Sequence, residues 1–362
     1  MKIRFDYTSD AILRSAASLF FRDPADVALL SSSTREADYR AAATVTAGDG
    51  ARYVIKLASN AFTHPRRIEG WTPLIRTARA MGVYMPALIP SLAGRIAETR
   101  EIDGRPFVVW AEEFAPYPLA ETQEEYGTDG YREKDAARPK SPDGCPAWQT
   151  ELIRFNAKLA AACLPGGWGI SGYARLTPPE DAETDEAEET LLEAERQIRE
   201  KHPVLLPRWR TLRARWKENR DALAALYPRL PTSVFQADWN DTNVLLSEDG
   251  HFAGLIDYNL AGEDTALNMA LSIGYYRFNA ANPLAAEAHA QKVLRIFGEE
   301  RAWNDDEIAA APLLWKYLNA VWWGEAEDLE KAADDCEAAR VLDRIEERLT
   351  ESVDFRGAMT KS

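Results

Sequence analysis

The chain has 362 residues, 46% hydrophobic and 28% charged, with a formal net charge of −15. At ~100–200 residues per domain this length predicts two domains or one two-lobed one, and the composition excludes global disorder and collagen-like structure. Residues 1–120 hold 15 basic and 13 acidic side chains and the remainder 28 and 45, so the acid excess argues against a non-specific nucleic-acid binder or a basic membrane-surface protein.

In chain order, Thr8–Phe20 reads as an amphipathic helix with Thr8 or Ser9 as its cap. Three β segments follow: Val27–Ser31, Tyr39–Thr46 and Arg52–Leu57, the last two joined across Gly48-Asp49-Gly50. Pro65–Met81 reads as a helix with Ile68, Trp71, Ile75 and Ala78 at helical spacing and Gly82 at its end. Arg95–Glu101 and Pro106–Glu112 are strand candidates joined by Asp103-Gly104. Residues 1–113 therefore predict a small antiparallel sheet with one inserted helix.

Residues 116–147 are polar, rich in Gly, Pro, Asp and Glu, and predict a linker or mobile insertion. Helices are expected over Gln149–Cys163, Thr184–Lys201 and Trp209–Leu226. The Glu180–Glu200 charge run reads as a solvated face. One hairpin, Val244–Ser247 and Phe252–Ile256 around Glu248-Asp249-Gly250, interrupts a chain otherwise helical to its end.

Three scattered cysteines, Cys145, Cys163 and Cys336, form neither a disulfide framework nor a zinc pattern and suit a reducing compartment. His64, His202, His251 and His289 lie in four separate segments and carry no catalytic expectation. Asp6, Asp10 and Arg14 interrupt the N-terminal apolar stretch, and the most apolar run, about 266–276, is short of the ~20 residues that span a bilayer. The expectation is a cytoplasmic protein with no nucleic-acid or membrane partner.

Chemistry concentrates in Asp238-Trp239-Asn240-Asp241-Thr242-Asn243, followed by the hairpin and Ile256-Asp257-Tyr258-Asn259. Phosphoryl transfer needs a carboxylate that orients an acceptor hydroxyl and takes its proton, and oxygen ligands that hold Mg²⁺ against phosphates. Asp238 is the candidate base, and Asn243 and Asp257 are the candidate metal ligands. A tight hairpin would return Asp257 beside Asn243.

This stretch resembles the catalytic core of the aminoglycoside phosphotransferase / choline kinase-like family, whose pattern is His-x-Asp-x-x-x-x-Asn followed by Ile-Asp-Phe-Asp or similar. The resemblance implies an α+β, two-lobed protein-kinase-like fold: a nucleotide-binding lobe over 1–115 and a helical catalytic and acceptor-binding lobe over 116–362. It implies transfer of the γ-phosphoryl of ATP or GTP, with Mg²⁺, to a hydroxyl of a small molecule. On the same resemblance Lys56 looks like the strand lysine that grips the phosphates and Glu69 like its ion-pair partner. Phe107–Phe114, including Glu112 and Phe114, looks like the strand and hinge whose backbone binds adenine. Ser32 and Ser33 fall in the nucleotide-covering loop.

The chain departs from the pattern in places. Gln236 stands for the motif histidine, the loop Ser31–Glu36 lacks glycine, and Asn259 and Asn268 stand where acids usually follow Asp257. Trp322-Trp323 reads either as core or as part of a sugar or choline pocket. The acidic second part, with Glu263 and Asp264 just past Asp257, favours an amino sugar or amino alcohol as acceptor. The rival expectation is a kinase-like protein that binds nucleotide or a partner without turnover, which the glycine-free loop favours.

Overall fold

A computed structural model describes residues 7–33, 38–122, 124–125, 128–178, 182–276 and 284–360. Helix α1 (Asp10–Ala17) is the first described element, with Asp10 in its first turn favouring the helix dipole and Leu13, Ala16 and Ala17 on its buried side. Strands β1 (Asp26–Ser32), β2 (Tyr39–Thr46) and β3 (Arg52–Ser59) follow. They lead into α2 (Pro65–Ala80), β4 (Leu88–Ile89), β5 (Ala97–Ile102) and β6 (Arg105–Glu113). The sheet is antiparallel in the order β1-β2-β3-β6-β4, with β5 also on β6. Both hairpins expected in this sheet, β2–β3 and β5–β6, pair as their turn residues imply, while β4 is an addition too short to read from pattern.

Register divides this sheet into two chemically different faces. Ala43 opposes Ile55, Ala41 opposes Leu57, and Leu57 opposes Val109. With Tyr7, Phe20, Tyr39 and Phe107 these form a buried apolar cluster. The opposite face carries Arg40, Ala42, Lys56, Trp110 and Glu112, because Cβ atoms alternate along each strand. Trp71 of α2 meets Trp110 on that face, ring centroids 5.8 Å apart. His64 caps α2 by accepting from the Arg67 N–H, Pro65 sits in its first turn, and Ile68, Leu74, Ile75 and Ala78 are buried.

Further along the chain come α3 (Asp129–Ala137), α4 (Ala147–Ala162), α5 (Glu186–Lys201), α6 (Leu206–Leu226) and β7 (Thr232–Phe235). The hairpin β8 (Val244–Leu246) and β9 (Phe252–Leu255) is followed by β10 (Gly262–Thr265). The rest is helical: α7 (Ala266–Tyr276), α8 (Ala286–Glu300), α9 (Asp305–Asn319), α10 (Trp323–Lys331), α11 (Asp335–Thr350) and α12 (Arg356–Met359). Residues Met1–Gly127, Gly166–Gly169 and Asp238–Ala261 form one compact unit, so the Asp238 loop and the β8–β9 hairpin group with the sheet. Thr128–Pro165, Ile170–Ala237 and Gly262–Ser362 form the other.

Two expectations are corrected in the second unit. The segment expected as a linker contains α3 and is pinned: Asp135, almost fully buried, accepts from Trp148 Nε1 and Arg138 Nη1, both at 2.9 Å. A second β element, β7 paired with β10, escaped notice because four-residue strands carry too little alternation. The Glu-rich run does form α5. Asp185 caps it, Arg196–Glu200 and Arg199–Glu195 pairs line its outer side, and Leu191, Ala194 and Ile198 lie on its buried side. Among the described residues no helix is long and apolar enough to cross a membrane.

Candidate active site

The β8–β9 hairpin brings the candidate metal ligands together. Val244 opposes Leu255, and one step beyond, the Ile256 N–H donates to the Asn243 carbonyl at 2.9 Å. Asp257 therefore follows directly on the residue bonded to Asn243. Asn243 Nδ2 donates to the Asp238 carbonyl at 3.3 Å, which ties the candidate base to the same loop. The Asp238 carboxylate is half-buried, and its Oδ1 accepts from Asn240 Nδ2 at 2.7 Å.

The hairpin is held from both sides. Residues 118–120 run along β8, with Ala120 N–H on the Val244 carbonyl and Leu246 N–H on the Pro118 carbonyl. Along β9, the Tyr84 N–H bonds the Ala253 carbonyl and the Leu255 N–H bonds the Tyr84 carbonyl. Glycine is required at 254, because a Cβ there would stand 2.1 Å from the Tyr84 carbonyl oxygen.

Asp257 has φ +60°, a left-handed conformation that costs an L-residue energy and persists only where its surroundings impose it. Tyr258 does the imposing. It is fully buried, its hydroxyl donates to the Pro86 carbonyl at 2.9 Å, and its ring lies 5.6 Å from Trp71. Arg67 of α2 adds a second anchor by donating to the Ala261 carbonyl at 3.0 Å. The strained backbone aims the Asp257 carboxylate at the polar face of the sheet.

Lys56 meets it there. Its Nζ lies 3.6 Å from Asp257 Oδ1 and 3.3 Å from Glu112 Oε2. Desolvation works against the ammonium, but Asp257 and Glu112 outweigh it and hold the Lys56 pKa above its ordinary value. Glu112 is oriented by Trp110 Nε1 at 2.7 Å, and its side chain is 3% exposed. Since Trp110 opposes Lys56 in register, Glu112 is the diagonal same-face neighbour of the lysine.

The ion-pair assignment thus differs from expectation. Glu69 is exposed on α2 and makes no ion pair among the described residues. The buried stripe of α2 runs through Arg67, Ile68, Trp71 and Leu74, which leaves position 69 on the outer side. Glu112, expected to offer backbone to a base, instead offers its carboxylate. It lies in register between Val54 and Leu88, so its backbone belongs to the sheet on both sides. Phe114 ends this strand: its N–H reaches the Arg52 carbonyl at 3.4 Å, and the Arg52 guanidinium lies 3.7 Å above its ring centroid.

Ser32 pairs with Ala41, and Ser33 donates its N–H to the Arg40 carbonyl and its Oγ–H to the Asp38 carbonyl. Thr34–Glu36 of the expected loop lie outside the described residues. Gln236, in place of the motif histidine, is fully buried.

The expectation that Asp264 faces an acceptor is corrected, while Glu263 stays partly exposed. Asp264 lies in β10 just before α7, is 3% exposed, and accepts from Thr265 N–H and from Asn268 Nδ2 with both oxygens. Burial pushes its pKa up to about 7 against those hydrogen bonds. Glu263 accepts from the Thr232 hydroxyl at 2.7 Å.

No group of three His, Cys, Asp or Glu side chains among the described residues is arranged to hold a metal. The Asn243–Asp257 pair nevertheless fits Mg²⁺. With Nδ2 turned to Asp238, the Asn243 amide presents its oxygen, and one carboxylate plus substrate phosphates is a common Mg²⁺ donor set.

A lysine paired with a sheet glutamate and with an aspartate that follows a hairpin is an arrangement that suits kinase-type phosphotransfer. Residues 36–302 match the phosphotransferase enzyme family model, and the chain belongs to that family. Among solved structures it is similar to an amicoumacin kinase in complex with AMP-PNP and Ca²⁺, at 15% identity and TM-score 0.56 over 97% of each chain. It is also similar to a microcompartment-associated aminopropanol kinase, at 15% identity and TM-score 0.55 over 94% of this chain and 95% of that one. These likenesses give the α+β kinase-like fold. A search of curated sequences returned no match.

Proposed function

We propose that this phosphotransferase moves the γ-phosphoryl of ATP or GTP to a hydroxyl of a small molecule. The observation that supports this most is the convergence of Lys56, Asn243 and Asp257 beside the Asp238 loop. In this reading Lys56, steadied by Glu112, grips the nucleotide phosphates, Ser32 and Ser33 border them, and Phe114 marks the base end. Asn243 and Asp257 would hold Mg²⁺, which supplies positive charge against the phosphates when bound. Asp238 orients the acceptor hydroxyl in line and takes its proton as the bond forms.

The acid excess after residue 120 supports an amino sugar or amino alcohol as the acceptor. The second unit has a pocket of its own, lined by Arg175, Glu186, Thr190, Ser272, Trp322 and Trp323, in which the Glu186 carboxylate accepts from Arg175 Nη2 at 2.9 Å.

The experiment is phosphoryl transfer by the purified protein, with ATP and GTP, to a panel of aminoglycosides, amino alcohols and neutral sugars, read by mass spectrometry. A product gaining one phosphoryl group supports the reading. Nucleotide binding with no transfer to any acceptor favours the non-catalytic alternative.

A further inference from the structure

The polar face of the sheet carries a second cation that the sequence pattern did not single out. Arg40 lies two residues before Ala42, and Ala42 opposes Lys56, so Arg40 and Lys56 share one face. Arg40 is placed rather than loose: Asp38 accepts from its Nε at 2.9 Å and its Nη2 at 2.5 Å, and Asn60 Nδ2 holds the Asp38 carboxylate at 2.8 Å. Phe62 lies under the guanidinium, 5.6 Å from ring centroid to Cζ. Ser33 fixes the strand at this point by bonding the Arg40 carbonyl.

The charge inventory gives this arginine a task. Lys56 already answers two carboxylates, Glu112 and Asp257. In phosphoryl transfer, charge spreads over the three equatorial oxygens of the moving group, and a planar guanidinium matches such oxygens in a way a single ammonium does not. Asp38 accepts from Nε and Nη2, and no hydrogen bond among the described residues uses Nη1. Desolvation disfavours the Arg40 charge, but Asp38, Asp257 and Asp238 outweigh it and raise its pKa. The two catalytic-loop carboxylates thus act electrostatically on Arg40.

We propose that Arg40, clamped by Asp38 and Asn60 on the Lys56 face of the sheet, binds the γ-phosphoryl group of the nucleotide and stabilises it during transfer. It would do so from strand β2, beside a loop that has no glycine with which to wrap phosphate in backbone N–H groups. This rests on the phosphotransfer reading above.

The test is calorimetric binding of Mg²⁺ complexes of ADP and of the non-hydrolysable ATP analogue AMP-PNP to wild type, Arg40→Ala, Arg40→Lys and Lys56→Ala. Arg40→Ala is expected to weaken AMP-PNP by roughly 10–100-fold, the range for one charge-assisted hydrogen-bond group, while ADP changes less than about 2-fold. Arg40→Lys should recover part of the loss, and Lys56→Ala should weaken both nucleotides. With an acceptor in hand, kcat of Arg40→Ala should fall by roughly 10²–10³-fold. Equal affinities of Arg40→Ala and wild type for AMP-PNP, or equal loss of both nucleotides, would overturn the assignment. So would a variant whose only change is a lower melting temperature, since that marks a turn-closing clamp. Wild-type protein that binds neither nucleotide would contradict the phosphotransfer reading itself, and this assignment with it.

Discussion

Two aspartates seven positions apart, Asp257 and Asp264, have opposite fates. Asp257 sits in a left-handed backbone conformation, is 34% exposed on its side chain, and faces a lysine. Asp264 lies in a strand, is 3% exposed, and has hydrogen bonds from Thr265 and Asn268 closed around it. The first is strained and keeps its carboxylate partly exposed beside Lys56. The second joins β10 to α7 and has nothing to offer a substrate. Nearness to a motif in sequence therefore did not assign a role. What separates the two is whether the fold keeps the carboxylate accessible and pays attention to its direction rather than its satisfaction.

The largest effect that would sharpen this contrast is at Asp257. Asp257→Ala should lower transfer by ~10²-fold or more, in the range seen when a group that stabilises transition-state charge is removed. It should abolish the Mg²⁺-dependent part of nucleotide affinity, with little change in melting temperature. Equal loss of affinity with and without Mg²⁺, measured by calorimetry, would make Asp257 structural and break the contrast.

Asp264→Ala should behave in the reverse way. It strands the Thr265 N–H and removes one of two acceptors of Asn268 Nδ2, which keeps the Tyr173 carbonyl; each unsatisfied buried group costs about 1–3 kcal/mol. Denaturant unfolding should register that loss, while nucleotide affinity of the folded protein stays near wild type.

A subtler difference appears with pH. Burial pushes the Asp264 pKa up to about 7 in the fold, from the ordinary carboxyl value of 3.8. The folded state therefore holds this proton more tightly than the unfolded one. Its stabilising contribution is full below about pH 4 and is lost as pH rises through about 7. Stability measured over that window should fall with pH in wild type, and Asp264→Asn should flatten the slope. An unchanged slope would mean that other groups carry it.

The smallest expected effect concerns the two glutamates near Lys56 in the argument. Glu69→Gln, on the exposed side of α2, should change stability by less than ~0.5 kcal/mol and leave nucleotide KM unchanged. Glu112→Gln should raise nucleotide KM, because Lys56 loses the partner that orients it. Steady-state kinetics on the pair distinguishes them, and a larger KM effect at Glu69 would restore the helix glutamate as the partner.

The legible parts of this molecule were those with local causes. Asp238, Asn243 and Asp257 could be joined because a Glu-Asp-Gly turn reverses the chain between them, and the sheet hairpins were marked by their own glycine turns. Lys56 stood out by its place in a β-rich run. What stayed hidden depended on register between distant strands. Glu112 reaches Lys56 only because β3 pairs with β6 so that Trp110 falls opposite the lysine, and no local pattern encodes that offset. Arg40 was one more arginine in a strand until the β2–β3 register put it on the Lys56 face. The β7–β10 pair and α3 were too short, or too polar, to announce themselves.

The central claim is that Asp238 performs base-assisted phosphoryl transfer in a site already built by the sheet and hairpin. The direct measurement is single-turnover transfer by wild type and Asp238→Asn at saturating Mg²⁺-nucleotide, with nucleotide affinity measured on both. The amide keeps the shape of the carboxylate but cannot accept the hydroxyl proton, so the rate should fall ~10²–10⁴-fold while affinity stays within about 2-fold. A variant that transfers phosphoryl at the wild-type rate would contradict the account.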